Sequence, residues 1–299
     1  MTDRVDLKLG FDCNNRCHFC VQGDKRSLHS PRSWDRIRHD LFFGYLRGAR
    51  GLVVTGGEPT IQKRFMDVIR LARHIGYQRI QVQTNGRRFH YRPFCEAVVA
   101  AGANEFSPAL HGATAPVHDE LTQAPGSYQQ VVRGIENLVA LGQPVITNTV
   151  ITSLNYQELP ALARLLVELG VEQFQLAFVH IVGTAAKNEQ WLVARKSDVL
   201  PYVKEALDIG AAGGVRCMTE AIPFCLMSGY ESFVAEAIIP NTLVFDADKT
   251  IHDYTVYRLD QGKARREECS TCLHFEACEG PWREYPVLHG WDEFVPVVA

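Results

Sequence analysis

The sequence predicts an α/β fold, with a partial (β/α)6 barrel followed by a small, irregular C-terminal domain. Over the first 180 residues, short runs rich in β-branched residues alternate with longer amphipathic segments. This alternation is typical of right-handed βαβ units around a parallel sheet. The alternation stops near residue 181, and the chain beyond residue 222 is irregular and contains four of the nine cysteines.

Six segments are predicted as strands because they are rich in β-branched residues and bounded by turn-forming residues. Between them, residues 127–142 have apolar side chains at helical spacing, with Ser127 and Gln130 placed for a capping box and Gly142 placed to end the helix. Six units are fewer than the eight of a closed barrel, so we expect a TIM-like sheet with an open side. The predicted strands are residues 5–11, 51–56, 79–86, 103–110, 144–152 and 172–180.

The change of pattern places a domain boundary near residue 210. We expect a barrel domain over residues 1–210 and a smaller domain over residues 211–299, with residues 214–220 as one more strand. A segment with little apolar periodicity needs an additional cross-link to hold it together, and clustered cysteines can supply one through a metal centre.

The composition excludes several classes of protein. Hydrophobic residues make up 46%, charged residues 22%, and the mean hydropathy is −0.11, which excludes a disordered, collagen-like or membrane-spanning chain. A net charge of −3 gives no general attraction for nucleic acid. The start of the chain is too charged for a signal peptide. We therefore expect a cytoplasmic protein with neither membrane nor nucleic acid as partner.

Three cysteines, Cys13, Cys17 and Cys20, lie in one loop directly after the first predicted strand. Without a secretion signal, clustered thiols favour a metal centre over disulfides. Three soft thiolates suit an iron–sulfur cluster or zinc. A cubane cluster would keep one iron open to an outside ligand, whereas zinc would need a fourth protein ligand, for which His18 is a candidate.

The same loop resembles the signature of the radical S-adenosylmethionine (radical SAM) superfamily, C-x3-C-x-Φ-C with Φ aromatic. The resemblance extends over about residues 1–180: GGEPT at 56–60 resembles the GGEP element, and QTNG at 83–86 resembles the third-strand TNG. Residues 111–138 are similar to the MoaA/PqqE-like branch. These elements follow predicted strands, at the edge where barrel enzymes assemble their sites. The resemblance implies SAM contacts from Phe19, Gly56, Gly57, Glu58, Pro59, Thr84, Asn85, Ser107 and Asn148.

The resemblance also implies an activity. In the family, SAM chelates the open iron of a [4Fe–4S] cluster and is cleaved reductively to a 5′-deoxyadenosyl radical, which abstracts a hydrogen atom from the substrate. The electron donor would be of the flavodoxin or ferredoxin type. We expect peptide modification, with dehydrogenation or rearrangement of a small molecule as the alternative. An alternative from another class is a non-catalytic iron–sulfur or zinc protein that acts as a scaffold or sensor.

A second group of cysteines lies near the end of the chain, in the pattern C-x2-C-x5-C. It resembles the SPASM and twitch extensions of radical SAM enzymes, which implies one auxiliary [4Fe–4S] cluster and two clusters per chain. Two auxiliary clusters would need more cysteines than the chain has. The predicted auxiliary ligands are Cys225, Cys269, Cys272 and Cys278, with Cys217 as the rival of Cys225.

Structural zinc is the alternative for the second group, with either Cys225 or His274 as its fourth ligand. Two cysteines remain outside both groups. Cys95 is predicted to be a small core residue, and Cys217 is a candidate hydrogen-atom donor to a product radical.

Overall fold

The computed structural model describes residues 2–23, 25–247 and 249–298. These residues form nine strands: β1 (Arg4–Lys8), β2 (Gly51–Thr55), β3 (Arg79–Thr84), β4 (Glu105–Pro108), β5 (Ile146–Ile151), β6 (Gln173–Phe178), β7 (Arg216–Glu220), β8 (Thr242–Phe245) and β9 (Thr250–Ile251).

Twelve α-helices connect and flank these strands within the described residues. They are α1 (Lys25–Leu28), α2 (Trp34–Leu46), α3 (Phe65–Ile75), α4 (Arg92–Ala101), α5 (Ala115–Thr122), α6 (Ser127–Ala140), α7 (Leu159–Glu168), α8 (Thr184–Lys187), α9 (Glu189–Leu192), α10 (Lys196–Ala212), α11 (Tyr254–Tyr257) and α12 (Glu284–His289). Within the described ranges, no helix combines the length and the apolar character needed to cross a membrane.

The strands form two sheets that meet side by side. One sheet has the order β4-β3-β2-β1-β8-β9 and the other has the order β5-β6-β7, and every pairing is parallel except that of β8 with β9. Parallel bridges from Phe106 to Val145 and from Ala109 to Asn148 join β4 to β5. The predicted partial α/β barrel is therefore confirmed, and each of the six predicted strands is present.

The chain beyond residue 210 extends the barrel sheet at both ends. Strand β7, which the sequence predicts, pairs with β6, and β8, which it does not predict, pairs in parallel with β1 from Arg4 opposite Thr242. The boundary near residue 210 stays a prediction, but residues on its far side complete the sheet around the first strand.

The two faces of the sheet differ in polarity. Val5 and Leu7 of β1 are fully buried, whereas the alternate residues of β1 are half-buried. Hydrogen bonds cross the half-buried face, from Gln81 to Glu105 at 2.6 Å and from Gln175 to Glu220 at 2.5 Å. A closed barrel fills its interior with branched apolar side chains. This inner face is polar and reached by solvent, and is thus suited to line a binding cavity.

Helix α6 begins differently from the prediction. Ser127 is its first residue and does not cap it, so the predicted capping box is wrong. The carboxylate of Asp119 in α5 instead accepts hydrogen bonds from the backbone N–H of Gly126 at 2.6 Å and of Tyr128 at 2.8 Å. Gly142 has a φ of 67° just beyond the helix, as expected for a glycine that ends it.

The C-terminal tail caps helix α10 from outside. The backbone N–H of Lys196 donates to Tyr285 Oη at 2.7 Å, and that of Ser197 donates to Glu293 Oε1 at 2.7 Å. Burial opposes ionisation of Glu293, but hydrogen bonds from Ser197 and Tyr285 and the charge of Arg195 lower its pKa. These contacts satisfy donors that a helix N-terminus leaves free.

Candidate active site

The first cysteine loop is held by the backbone of the loop that follows β2. The N–H of Gly57 donates to Gly10 O and that of Glu58 donates to Asp12 O, both at 2.8 Å. A Cβ on Gly56 would lie 2.2 Å from Gly10 O, and one on Gly57 would lie 2.4 Å from Asp12 O. Only glycine permits this close approach, which explains the pair of glycines in GGEP.

Glu58 joins the loop after β2 to the loop after β3. Its carboxylate is fully buried, and Oε1 accepts from Thr60 N (3.0 Å), Thr60 Oγ1 (2.5 Å) and Thr84 Oγ1 (2.8 Å). Oε2 accepts from the backbone N–H of Asn85 at 2.7 Å. Burial raises the pKa of Glu58, and these hydrogen bonds partly offset the rise. Glu58 therefore connects the loops after β2 and β3 at the C-terminal edge of the sheet.

The loop after β3 also reaches the cysteine loop. Asn85 Nδ2 donates to Asn14 Oδ1 at 2.7 Å and lies 3.9 Å from Cys13 Sγ. Arg87 Nη1 donates to Asn14 O at 2.6 Å and to Asn15 Oδ1 at 3.0 Å. The GGEP and TNG elements thus meet around the first cysteine.

The three thiols of this loop are half-buried and unpaired. Burial raises the pKa of Cys13 and Cys17, and the neighbouring thiols of the loop raise them further. Thiolates in such a place are stabilised when they bind a metal. Soft thiols from one loop, with no fourth ligand beside them in the described part of the chain, fit a cluster that keeps one iron open.

Among the described residues, the zinc alternative for this loop finds no fourth protein ligand. His18 Nε2 lies 3.4 Å from Glu120 Oε1, and its ring packs edge-on against Trp191 with ring centroids 4.9 Å apart. Across the described residues, no three His, Cys, Asp or Glu side chains are arranged to hold a single metal ion.

The other predicted SAM contacts lie around the same edge. Pro59 is buried and opens a short 3₁₀ turn after GGE. Phe19 packs edge-on against His111 at 4.6 Å between ring centroids. Ser107 is buried in β4 opposite Gln83. Asn148 is half-buried in β5, and its Oδ1 has no hydrogen-bond partner within the described chain.

The four C-terminal thiols predicted as ligands line one small cavity of about 30 Å³. Burial, together with the neighbouring thiols, raises the pKa of Cys225 to about 12. The cavity is otherwise walled largely by apolar and aromatic side chains, Phe275, Trp291 and Phe294 among them. His274 does not line it and stacks on Phe224 at 5.1 Å. Thiols placed around a cavity fit a cluster better than a single ion.

The two remaining cysteines lie elsewhere in the core. Cys217 is 4% exposed in β7, donates to Val215 O at 3.1 Å and packs against Gly210 of α10. It lines no part of the cavity and lies on the face of the sheet opposite to Glu220, so its position gives no support to a role as hydrogen-atom donor. Cys95 is fully buried in α4, as predicted.

A buried chain of ion pairs links the end of β7 to the second cysteine group, and sequence reasoning missed it. Glu236 Oε1 accepts from Ala221 N at 2.7 Å and from Lys263 Nζ at 2.9 Å. Arg258 makes two hydrogen bonds to Glu279, at 2.6 and 2.5 Å, and Glu279 follows Cys278 directly. All four charged side chains are less than one-tenth exposed.

No local pattern identifies these pairs, because the partners lie 21 and 27 residues apart in irregular sequence. Glu220, at the end of β7, was missed for the same reason. Burial raises its pKa, and the nearby carboxylate of Glu236 adds to the rise.

Comparisons with known proteins agree with this geometry. The family model of the Radical SAM superfamily matches residues 7–166. A probable GTP 3′,8-cyclase from Sulfurisphaera tokodaii is 26% identical over 172 residues, which are 57% of this chain and 54% of that protein. An AdoMet-dependent heme synthase from Methanosarcina barkeri is 26% identical over 202 residues, 67% of this chain and 57% of that protein. The chain thus spans little more than half the length of these curated relatives.

Solved structures extend the likeness to nearly the whole chain. Streptococcus suis SuiB bound to its precursor peptide SuiA has a TM-score of 0.67 at 13% identity, over 96% of this chain and 73% of SuiB. The protein anSMEcpe, bound to AdoMet and the Kp18Cys peptide, has a TM-score of 0.67 at 15% identity, over 94% of this chain and 89% of anSMEcpe. At these identities the likeness concerns the fold.

Proposed function

The chain belongs to the radical SAM superfamily, whose members are enzymes that use a [4Fe–4S] cluster and SAM, and on that premise we propose the assignment of its sites. Cys13, Cys17 and Cys20 hold the cluster whose open iron binds SAM. When bound, the cluster and SAM would supply the radical chemistry that removes a hydrogen atom from the substrate. The protein contributes orientation and the exclusion of competing reactions.

One observation carries this proposal: the GGEP and TNG loops converge on the first cysteine loop. Glu58 accepts hydrogen bonds from both Thr60 and Thr84, so its carboxylate links the two loops directly. Asn85 then reaches to 3.9 Å from Cys13 Sγ. Ser107 of β4 and Asn148 of β5 would complete the set of residues that hold SAM.

We propose one auxiliary [4Fe–4S] cluster in the cavity between Cys225, Cys269, Cys272 and Cys278. The position of Cys225 at this cavity supports it as the fourth ligand in preference to Cys217. The arrangement favours a cluster over structural zinc because the thiols border a cavity instead of meeting at one point. In that position the cluster would anchor the substrate or accept an electron from it.

The proposed substrate is a peptide. SuiB and anSMEcpe, which share the fold, are described with a precursor peptide and with the Kp18Cys peptide. The polar inner face of the barrel, half-buried along β1, offers hydrogen bonds to a polar chain. A small-molecule substrate is the second candidate, supported by the names of the sequence relatives, a GTP 3′,8-cyclase and a heme synthase. The electron would come from a flavodoxin or ferredoxin.

Anaerobic reconstitution tests the cluster assignment. We expect about eight irons per chain, since each cubane holds four, and formation of 5′-deoxyadenosine that depends on reductant. The triple variant Cys13→Ala, Cys17→Ala, Cys20→Ala should keep about half of the iron and form no 5′-deoxyadenosine. Cleavage of SAM by that variant would refute the proposed site.

The auxiliary site has a matched pair of variants. Cys225→Ser should lower the iron content to about four per chain, whereas Cys217→Ser should keep about eight. The opposite result would make Cys217 the fourth ligand. Zinc in place of the second set of irons would refute the auxiliary cluster.

Deuterium transfer into 5′-deoxyadenosine distinguishes the substrate classes. Short peptides encoded in the reading frames beside this gene, made with deuterated residues, are compared with deuterated GTP. Label from the peptide supports peptide modification, and label from GTP alone supports the small-molecule candidate.

A further inference from the structure

We propose that His111 is a further SAM-binding residue, which donates a hydrogen bond from Nε2–H to a ring nitrogen of the adenine. The inference rests on the proposed function in one respect, that SAM binds at the first cysteine loop. It assigns to His111 a role that the sequence motifs do not contain.

The imidazole of His111 continues the hydrogen-bond ladder between β4 and β5 after β4 has ended. The N–H of Leu110 donates to Asn148 O at 3.2 Å, and the next donor of β5, the N–H of Val150, donates to His111 Nδ1 at 3.2 Å. Because Nδ1 accepts, a neutral ring carries its proton on Nε2. Burial, with a smaller contribution from His118, lowers the pKa of His111 well below its usual value, which keeps the ring neutral.

Further contacts fix the position of His111. Its backbone N–H donates to His118 Nδ1 at 3.0 Å, and the two rings stack at 5.7 Å and 13°. Asn155 Nδ2 donates to His111 O at 2.7 Å. The ring is therefore rigidly placed before any ligand binds, which reduces the entropy lost on binding.

Within the described residues, the Nε2–H group of this fixed ring has no hydrogen-bond partner. His111 is 4% exposed, and the described part of the chain provides no hydrogen bond to Nε2. Nε2 of His111 is not among the fully buried, unpartnered polar atoms of the described residues, so it is open to contact from outside the chain. Nε2 lies across the ring from the Nδ1 bond, so this donor points away from β5 and is available to a ligand.

The neighbour of the ring indicates which ligand this is. Phe19 packs edge-on against His111 at 4.6 Å and lies in the cysteine loop between Cys17 and Cys20. The amino and carboxylate groups of SAM face the open iron in the family, so its nucleoside lies beyond them. Adenine is planar, packs well on an aromatic side chain, and carries ring nitrogens that accept hydrogen bonds. Phe19 and the Nε2–H of His111 together match that base.

The test measures the dissociation constant of SAM with the reconstituted protein. His111→Phe keeps an aromatic ring against Phe19 but has no N–H, and we expect affinity to fall about tenfold, the loss of one hydrogen bond. His111→Gln can accept from Val150 and still donate, so it should bind within about twofold of wild type. His74→Gln, at an exposed site at the end of α3, is the matched control and should not change affinity.

L-Methionine serves as a second probe, because it lacks the nucleoside. Its binding should be equal in wild type and His111→Phe. Equal loss of methionine and SAM would mean a general disturbance of the site and would overturn the inference. Failure of the wild-type protein to bind SAM would refute the proposed function itself, whereas SAM binding by His111→Phe as tight as wild type refutes this inference alone.

The wild-type protein provides a measurement that does not depend on any variant. SAM analogues in which carbon replaces N1, N3 or N7 of the adenine are compared with SAM. One of the three should bind about tenfold more weakly. Equal affinity of all three would overturn the inference.

Discussion

Replacing Glu58 by glutamine tests how much the hydrogen bonds that Glu58 accepts between the GGEP and TNG loops stabilise the fold. The substitution keeps the size of the side chain and changes one acceptor oxygen into a donor. Each carboxylate oxygen receives one backbone N–H, from Thr60 on Oε1 and from Asn85 on Oε2. The hydroxyls of Thr60 and Thr84 can rotate and accept instead of donating, but a backbone N–H cannot. The side-chain amide of the glutamine can take two orientations. In each of them its NH₂ group faces one of these backbone N–H donors.

The cost follows from one buried donor that is left without a partner. Such a group costs about 1–3 kcal/mol. A second effect has the opposite sign: burial raises the pKa of Glu58, so the ionised carboxylate is itself penalised and the neutral amide avoids that penalty. We expect the hydrogen-bond term to dominate, with a net loss of about 1–2 kcal/mol in the free energy of unfolding.

Urea unfolding of the metal-free protein at pH 7, under reducing conditions, measures this loss. Glu136→Gln is the matched control, because Glu136 is exposed on α6 and pairs with Arg133 on the surface. Its effect should stay within about 0.5 kcal/mol. If Glu58→Gln is as stable as wild type or more stable, the relief of charge burial outweighs the lost bond and the reasoning is refuted.

Three further predictions concern the C-terminal region and use the same unfolding assay. Gly280→Ala should lower the free energy of unfolding more than Gly229→Ala. The two glycines have nearly equal φ values, 79° and 80°, but a Cβ on Gly280 would lie 2.0 Å from a backbone oxygen, whereas a Cβ on Gly229 would meet nothing within 4 Å. Equal losses for the two variants would contradict this reasoning. Arg258→Met should cost about 3–5 kcal/mol, since it leaves Glu279 buried without its cation. The double variant Arg258→Met, Glu279→Gln should recover much of that loss, because it also removes the buried charge of Glu279. If the double variant is no more stable than Arg258→Met, the unpaired carboxylate is not the cause of the loss. Glu293→Gln should cost about 1 kcal/mol at pH 7, the value of a hydrogen bond to the carboxylate. Because the folded-state pKa is lowered, this loss should be complete above the unfolded pKa of about 4.3 and should shrink as the pH falls through the lowered folded-state pKa; a difference independent of pH would exclude this origin.

The sequence predicted those parts of the fold that local patterns determine. The run at residues 144–152 became β5, Ile146–Ile151, because β-branched alternation depends on the residues themselves. Strand β8 was missed because a four-residue run in an irregular region carries no sign of its partner β1. The capping box at Ser127 failed for a similar reason: Asp119, from the preceding helix, supplies the acceptor.

Some residues of the candidate site could likewise be predicted from local sequence, and others could not. The cysteines and the GGEP and TNG motifs could be placed from spacing, since each follows a predicted strand. The ion pair between Lys263 and Glu236 could not, because only the fold brings the two side chains to 2.9 Å. The tautomer of His111 could not be predicted either, because it depends on a donor in β5 that lies 39 residues away.

The pairing of β1 with β8 has a consequence for the order of events during synthesis. Arg4 and Thr242 are 238 positions apart, so the first strand leaves the ribosome long before its second neighbour exists. At about 5–20 residues per second, that interval is roughly 10–50 s. During this time the sheet that carries the first cysteine loop has an unpaired edge beside β1. The first strand to be translated is thus among the last to be fully paired, and any iron delivered to its loop earlier would reach an unfinished sheet.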